Sequence, residues 1–180
     1  MKLSTRRVAQ LAVMVALLVI GAYVSIPLRP VPITFQDAFV VLTPLLFGST
    51  AYVAILAYLL LGLVGLPVFT GGASGLVALS GPTGGFLVGF LLAAVIVGFL
   101  VDHWHWDSWW RDLALAEGSL ILIYIPGVLW LCHVLLLQGN TTIAALIGLA
   151  PILVLDIAKM AVVAALARPL RTALSEVPGA

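Results

Sequence analysis

Charged side chains are what this sequence has least of. Asp, Glu, Lys and Arg make up 8% of its 180 residues, whereas 63% of the residues are hydrophobic. A soluble domain needs about 25% charged residues, so the composition excludes a soluble globular protein. The net charge of +1 gives no basic field for binding nucleic acid. The composition therefore predicts an all-α integral membrane protein, with residues 1–180 forming a single transmembrane domain.

Cysteine is also scarce, and its scarcity excludes two further features. Cys132 is the one cysteine of the chain, which excludes an internal disulfide and a cysteine cluster for a metal. His103 and His105 are two residues apart, but the sequence near them offers no third metal ligand. The sequence also shows no nucleophile paired with a base. We therefore expect no metal, no cofactor and no enzyme activity.

Long hydrophobic runs are abundant, and they predict a bundle of six transmembrane helices. The first run is longer than the apolar part of a secretory signal, so we interpret it as a retained span. The run from Ala38 to Leu66 is too long for one ordinary span, and Gly48-Ser49 predicts a break near its middle. Pro151 predicts the start of the last helix, since proline suits the first helical position. The predicted helices are 5–24, 38–66 in two parts, 86–101, 113–137 and 152–170, with 143–150 as a loop or short cap.

Positive charge is distributed unevenly between the two ends of this predicted bundle. Six helices place both termini on one side. Arg29, in the proline-rich stretch PLRPVPITFQD, then lies on the other side, and Lys159 lies within the last helix. The remaining basic residues lie on the terminal side: Lys2, Arg6, Arg7, Arg111, Arg168 and Arg171. Because cytoplasmic loops are rich in Lys and Arg, we expect cytoplasmic termini in a multi-pass protein of the cell membrane.

Glycine is concentrated in the segment GLPVFTGGASGLVALSGPTGG, residues 65–85, which holds seven of the 17 glycines. A phosphate-binding loop is discounted because the pattern G-x-x-x-x-G-K-[ST] is absent. Close helix packing accounts for Gly85 and Gly89, which are four residues apart. The rest of the segment predicts a shaped loop that enters the bundle and lines a cavity, where non-helical backbone is tolerated. Its polar groups would come from Gly71, Gly72, Thr70, Ser74, Ser80 and Thr83, and its apolar walls from Phe69 and Leu79.

The second unusual feature is the pair Asp156 and Lys159, in the stretch VLDIAKMAV of the last predicted helix. Ionisable residues inside a span are costly and by default mark function. Their spacing of three residues places them on one helix face. Either they form an ion pair that only packs the bundle, or they face the cavity under the glycine loop. In the second case, Asp156 would accept hydrogen bonds from ligand N–H groups, and Lys159 would donate to a ligand carbonyl.

Four stretches of the chain together resemble the BioY family, the substrate-binding (S) components of energy-coupling factor (ECF) transporters for biotin. PVPITFQ at 30–36 resembles the family's first-loop motif. GLPVFTGG with GPTGGF, at 65–72 and 81–86, resembles its third-loop motif. YIPGVLWL at 124–131 and DIAK at 156–159 resemble its motifs in helices 5 and 6. The matches occur in the family's order through most of the chain.

The resemblance implies a bundle that holds biotin near its outer face, under the third loop. Asp156 and Lys159 would match the N–H groups and the carbonyl of the ureido ring, and the first-loop motif would place Thr34 and Gln36 at the site. Phe69, Tyr124 and Trp130 would be apolar walls for the thioether ring. The partner of the biotin carboxylate stays open: backbone N–H groups at Gly71 and Gly72, hydroxyls, or Arg29.

The resemblance also implies three protein partners in the membrane and cytoplasm: a transmembrane coupling subunit and two ATPase subunits. Ala12 and Ala16, an A-x-x-x-A pair in the first helix, match the small residues that meet the coupling subunit in such S components. They could equally belong to close packing inside the bundle. Two other functions stay open: an S component for another vitamin, such as thiamine or riboflavin, and a membrane assembly subunit that binds no ligand.

Overall fold

A computed structural model describes residues 3–28, 31–104, 108–139 and 142–176. Within these ranges the chain forms seven α-helices and one small antiparallel sheet. Two 3₁₀ turns, Gly48–Thr50 and Thr70–Gly72, interrupt the helices. The elements are α1 (Thr5–Tyr23), β1 (Ser25–Ile26), β2 (Ile33–Thr34), α2 (Gln36–Phe47), α3 (Ala51–Leu63), α4 (Gly75–Ser80), α5 (Gly84–His103), α6 (Trp109–Leu137) and α7 (Thr142–Glu176).

The predicted six-helix transmembrane bundle is confirmed. Five helical segments are long and apolar enough to cross a membrane, with α2 and α3 forming one of them. The predicted break in that segment is present: Gly48 adopts φ +57°, a left-handed conformation that favours glycine, and begins a 3₁₀ turn. The six-residue helix α4 was not predicted and lies inside the glycine segment.

Helix α2 lies at the centre of the bundle and contacts α1, α3, α5, α6 and α7. Its span with α3 is more buried than the spans of α1, α6 and α7, which expose many large apolar side chains. Such side chains suit the hydrocarbon of a bilayer. The central position of α2 matters for function because its first residues, Gln36 and Asp37, are buried.

The predicted start of the last helix at Pro151 is wrong. Helix α7 begins at Thr142 and continues through both Pro151 and Pro169. The apolar residues 143–150 supply the first turns, and transmembrane helices tolerate proline because neighbouring groups satisfy the freed carbonyl. Asp156 therefore lies about four turns into α7 instead of little more than one turn. Helix α6 also begins earlier than predicted, at Trp109, where the Ser108 hydroxyl accepts a hydrogen bond from the Arg111 amide.

Close packing at Gly85 and Gly89 is confirmed at the contact between α5 and α6. A Cβ added to Gly89 would lie 2.7 Å from the Cα of Ile123, and one added to Gly85 would meet the backbone of Pro126. Both glycines are buried. The absence of side chains at these positions lets the two backbones approach each other.

Both described ends of the chain lie at one end of the bundle. The Arg6 guanidinium donates to the carbonyl of Leu174, and Arg171 forms an ion pair with the buried Asp112. We call this the terminal end; the loop between α1 and α2, with the glycine segment, lies at the opposite end. The basic residues at the terminal end agree with the predicted grouping of charge. The side of the membrane on which they lie stays a prediction, and Lys2 and Arg29 lie outside the described residues.

Candidate substrate-binding site

A cavity of about 70 Å³ lies between α2, α5, α6, α7 and the two loops opposite the terminal end. Its volume corresponds to several water molecules. Most of its wall is apolar, and its two charged lining side chains come from α2 and α7. The lining residues are Val31, Pro32, Thr34, Gln36, Asp37, Phe69, Thr70, Thr83, Phe86, Leu87, Phe90, Ile123, Tyr124, Leu149, Ile152 and Asp156.

The loop between α1 and α2 brings polar residues to this cavity because its two short strands, β1 and β2, pair with each other. Ser25 of β1 pairs with Thr34 of β2, and Ile26 pairs with Ile33. The amide of Phe35 donates to carbonyls of Gly21 and Val24. Chain reversal over these residues places the first turn of α2 under the loop. Gln36 and Asp37 are thereby buried, with 2% and 7% of their surface exposed.

Lys159 of α7 lies between two carboxylates at one side of the cavity. Its ammonium Nζ is 2.8 Å from both carboxylate oxygens of Asp37 and 2.6 Å from Oδ1 of Asp156. It also donates to the backbone carbonyl of Thr34 at 2.7 Å. The predicted pair Asp156 and Lys159 is therefore part of a group of three charges, with two carboxylates around one ammonium.

The three N–H donors of Lys159 do not satisfy all of these oxygens. Asp37 Oδ2 and Asp156 Oδ1 are buried and within ion-pair distance, but neither accepts a well-directed hydrogen bond from the described residues. The other oxygen of Asp156, Oδ2, accepts from the Tyr124 hydroxyl at 2.6 Å. Buried carboxylate oxygens normally have hydrogen-bond partners. The arrangement thus leaves acceptors available for a ligand with N–H groups.

A hydrogen-bonded chain joins the cavity to the glycine segment. Gln36 Nε2 donates to the Tyr58 hydroxyl at 2.8 Å, and that hydroxyl donates to the carbonyl of Val68 at 3.1 Å. The Thr70 hydroxyl lies 3.4 Å from the side-chain carbonyl of Gln36. Phe69 packs edge-on against Tyr58, with 5.4 Å between ring centroids. Residues 68–70 therefore form a cover that is fixed to α2 and α3.

The structure brings most of the residues predicted from the sequence into one place. Thr34, Gln36, Phe69, Tyr124 and Asp156 line the cavity, and Lys159 contacts Asp156 directly, as described above.

Four other predicted residues lie near the cavity but are not part of its lining. Gly71 and Gly72 belong to the 3₁₀ turn that follows Phe69, and Ser74 precedes α4. Trp130 is 38% exposed and donates from Nε1 to the carbonyl of Gly81 at 3.0 Å. Contact between these residues and a ligand stays a prediction.

Asp37 is the charged residue of the site that was not predicted from the sequence, and several apolar lining residues, among them Phe86, Leu149 and Ile152, were not predicted either. The sequence predicts Asp37 as the last residue of the proline-rich loop, whereas it lies in the first turn of α2. The sequence does contain a signal for this position, because Asp37 directly precedes the longest apolar run of the chain. An acidic residue at a helix start commonly complements the helix dipole. Because this role does not require burial, the sequence gives no reason to place Asp37 inside the bundle.

The two described histidines, His103 and His133, do not line this cavity. His103 stacks on Phe99 at 3.9 Å between centroids, and its Nδ1 lies 2.8 Å from the Phe99 carbonyl. His105 lies outside the described residues. The part of the chain that the structure describes holds no group of three His, Cys, Asp or Glu side chains suited to a metal ion.

Comparison with known proteins places the chain among membrane transport proteins. It is 36% identical to the biotin transporter BioY of Thermotoga maritima over 167 residues, which cover 92% of this chain and 96% of that protein. It is 34% identical over 170 residues to the probable biotin transporter BioY of Pyrococcus horikoshii, covering 94% and 98%. The fold matches the S-component for biotin from an ECF-type ABC transporter with a TM-score of 0.81, at 24% identity and 95% coverage of both chains. The sequence model of the BioY family matches residues 1–176, and the chain belongs to that family.

Proposed function

We propose that this chain binds biotin and serves as the S component of an ECF-type transporter in the cell membrane. The observation that carries the proposal is the pair of buried carboxylate oxygens with free acceptor capacity, Asp156 Oδ1 and Asp37 Oδ2, beside the ammonium of Lys159. The ureido ring of biotin has two N–H donors and one carbonyl acceptor. A cavity wall whose carboxylate oxygens lack a directed hydrogen bond, with one adjacent cation, complements that set.

Asp156 is the proposed acceptor for a ureido N–H. Tyr124 holds Oδ2, so Oδ1 is the oxygen that turns to the ligand. Lys159 is already surrounded by oxygens of Asp37, Asp156 and Thr34. A ligand carbonyl must therefore replace one of these oxygens to accept from Lys159. Two carboxylates against one ammonium favour a ligand that brings N–H donors, since these offset the excess negative charge.

The apolar walls complement the remainder of the ligand. Phe86 and Tyr124 meet edge to face with 5.7 Å between centroids, and Phe69 is 3% exposed. Together with Leu149 and Ile152 they form a surface suited to a thioether ring. For the valerate carboxylate we propose the backbone N–H of Gly71, on the exposed side of the 3₁₀ turn, because the N–H of Gly72 already donates to the Phe69 carbonyl at 3.0 Å. Arg29 and nearby hydroxyls stay alternatives.

The volume of the cavity indicates that the cover moves when the ligand enters. Two fused rings with a carboxylic side chain need more room than several water molecules. The cover at 68–70 depends on the hydrogen bonds from Tyr58 and Gln36 described above, and Gln36 itself lines the cavity. A ligand that competes for Gln36 would therefore loosen the cover on entry.

The proposed partners are an ECF transmembrane coupling subunit and two cytoplasmic ATPase subunits, which would supply the energy for uptake. Ala12 and Ala16 are exposed on α1 and do not line the cavity. Their position leaves them free to contact another membrane protein. No partner is required for binding itself, because the cavity is formed within this chain.

The test is equilibrium binding of radiolabelled biotin to the purified full chain in detergent. Unlabelled biotin should displace the label, whereas thiamine and riboflavin at the same concentration should not. If either of those vitamins displaced the label, that vitamin would be the proposed substrate instead of biotin. Absence of any specific binding by a folded sample would favour the assembly subunit instead.

A further inference from the structure

The terminal end of the bundle holds a second, more polar groove. It has a volume of about 770 Å³ and lies between the start of α1, the end of α2 and the last turns of α7. Three arginines and four hydroxyl side chains line it, and no described acidic side chain does. The lining residues are Leu3, Ser4, Arg6, Arg7, Gln10, Leu46, Thr50, Arg171, Thr172, Leu174 and Ser175.

Two of the arginines carry charge that no carboxylate balances by contact. Arg6 donates to the carbonyl of Leu174. Arg7 donates to the Thr50 hydroxyl at 3.1 Å and to the Phe47 carbonyl at 3.0 Å, and its guanidinium lies 4.7 Å from the Phe47 ring centroid. Among the described residues neither forms an ion pair; the third arginine, Arg171, pairs with Asp112.

The acidic residue that influences Arg7 through space is already engaged elsewhere. Asp102 interacts electrostatically with Arg7 but does not line the groove. Its Oδ2 accepts a hydrogen bond from the Ser49 amide at 2.9 Å. The groove therefore presents fixed guanidinium groups and hydroxyl donors, which is the combination that binds phosphate.

An apolar groove adjoins the arginine groove and shares Leu3 with it. This second groove has a volume of about 310 Å³ and is lined by Leu3, Val8, Leu11, Ala12, Val15, Val53, Ala54, Ala57 and Leu61. From Val8 to Val15 it follows α1 for about 10 Å. Its direction leads from the terminal end, where the helices leave the hydrocarbon, into the depth of the spans.

We propose that the two grooves together bind one anionic phospholipid, with the phosphate headgroup at Arg6 and Arg7 and one acyl chain along α1 and α3. Charge complementarity selects the headgroup, and the continuity of the two grooves at Leu3 selects a lipid over a free phosphate compound. Basic residues at the membrane surface attract anionic lipids. The site is separate from the biotin cavity, and the proposal does not depend on biotin binding.

The experiment measures lipid binding to the purified full chain by native mass spectrometry in a neutral detergent. The probes are dioleoyl phosphatidylglycerol, dioleoyl phosphatidylcholine and glycerol phosphate. The wild-type chain should bind phosphatidylglycerol at least about tenfold more tightly than phosphatidylcholine, and glycerol phosphate more weakly than either, because it lacks acyl chains. Equal binding of the two lipids would overturn the proposal, and so would glycerol phosphate binding as tightly as phosphatidylglycerol.

Single substitutions locate the site. Arg6→Gln and Arg7→Gln should each weaken phosphatidylglycerol binding about fivefold, the effect of one basic residue near a charged surface. Arg168→Gln is the matched control, since Arg168 is exposed on α7 at the same end and does not line the groove. Arg6→Gln keeps the test valid if loss of the Phe47 contact prevents folding of the Arg7 variant. Equal losses in all three variants would indicate diffuse attraction and refute a site.

Filling the apolar groove tests the acyl chain separately. Ala57→Leu places a larger side chain in the groove at a half-buried position. It should weaken phosphatidylglycerol binding several-fold, while leaving weak glycerol phosphate binding unchanged. Unchanged lipid affinity in this variant would remove the acyl-chain groove from the proposal. Biotin binding in the same preparations should remain at the wild-type level, which checks that each variant is folded.

Discussion

Asp37 at the start of α2 and Lys159 in the middle of α7 are 122 residues apart and form an ion pair, with 2.8 Å between Nζ and each carboxylate oxygen. This contact joins the central helix of the bundle to the last helix at the wall of the cavity. Because Asp156 shares the same ammonium, the charge of Lys159 stabilises the packing of α2 on α7 and also positions the Asp156 carboxylate at the cavity. Substitution of Lys159 separates these two roles.

Replacing Lys159 with Met should destabilise the folded chain by about 3 kcal/mol, because two buried carboxylates lose their shared cation. Adding Asp37→Asn to this variant removes one uncompensated charge and should recover part of the loss. Thermal unfolding in detergent measures both effects. Arg168→Met is the control for replacing an exposed cation of α7, and it should change stability little. Additive losses for Lys159 and Asp37 would contradict a shared ion pair.

Gly72 should be sensitive to side chains because of its backbone and not because of crowding. Its φ is +75°, whereas the nearest heavy atom to an added Cβ is the Tyr23 hydroxyl at 3.7 Å. A left-handed conformation costs other residues about 1–2 kcal/mol. Gly72→Val should therefore displace the cover and weaken biotin binding about five- to thirtyfold. Ala73→Val is the control, since Ala73 has an extended conformation that valine favours. Equal affinities in the two variants would count against a covering role.

Gly89 should be sensitive for the opposite reason, which is crowding. The 2.7 Å separation between a Cβ at Gly89 and the Cα of Ile123 involves backbone, which cannot move aside. Gly89→Ala should lower stability by about 1–3 kcal/mol through overpacking. At Gly118 of α6 an added Cβ meets no heavy atom within 4 Å. Gly118→Ala should be neutral or gain up to about 1 kcal/mol from helix propensity. Unfolding temperatures that rank the two variants the other way would overturn this account.

The sequence was sufficient to predict the bundle because hydrophobic length and glycine breaks are local properties. The runs around α1 and α5 are bounded by charge or proline, and the run around α6 ends at the polar stretch QGNTT. Gly48 marks the break between α2 and α3 by its own backbone preference. The prediction at Pro151 was wrong because proline suits the first position of a helix but is also tolerated inside a span whose neighbours satisfy the freed carbonyl. The error shortened α7 by ten residues at its start.

The site was predicted in part for a similar reason. Asp156 and Lys159 are three residues apart in one helix, so their contact follows from helix geometry. Asp37 reaches Lys159 only through the packing of α2 on α7, which no local pattern encodes. Its burial depends on the antiparallel pairing of Ser25 with Thr34, a two-residue ladder too short to recognise in the sequence.

Helix α1 should be a contact surface for the coupling subunit. Ala12→Trp and Ala16→Trp should leave biotin binding by the isolated chain unchanged, because both residues are exposed and distant from the cavity lining. Uptake by cells that contain the coupling subunit should fall. Ala16→Trp is the decisive variant of the two, because Ala12 also lines the apolar groove of the proposed lipid site and Ala16 does not. Ile121→Trp is the control, since Ile121 is 61% exposed on α6 and does not line the cavity. Weakened biotin binding in the isolated chain would instead assign the alanines to internal packing. Equal uptake defects in all three variants would show that Ala12 and Ala16 are not a specific contact surface.

Asp156 provides the most direct test of the proposed ligand contact. A hydrogen bond from a ligand to a charged group contributes about 1.5–3 kcal/mol, and each 1.4 kcal/mol is about tenfold in affinity. Asp156→Ala should thus weaken biotin binding by one to two orders of magnitude, as measured by equilibrium binding to the purified chain. Asp156→Asn keeps one acceptor and the shape of the side chain, so its loss should be smaller. With the amide oxygen facing the ligand, the Tyr124 hydroxyl can accept a hydrogen bond from the new amide nitrogen, which keeps the side chain oriented.

The control for this prediction is the ligand itself. Desthiobiotin keeps the ureido ring and should suffer the same loss as biotin in Asp156→Ala. An analogue with a blocked ureido nitrogen lacks the N–H that Asp156 accepts, so it should bind the wild-type chain poorly and be almost insensitive to the substitution. Such non-additivity between ligand and residue indicates a direct contact. If both kinds of ligand instead lost affinity equally, or if the variant unfolded at a clearly lower temperature, Asp156 would act through its ion pair with Lys159 and not through contact with the ligand.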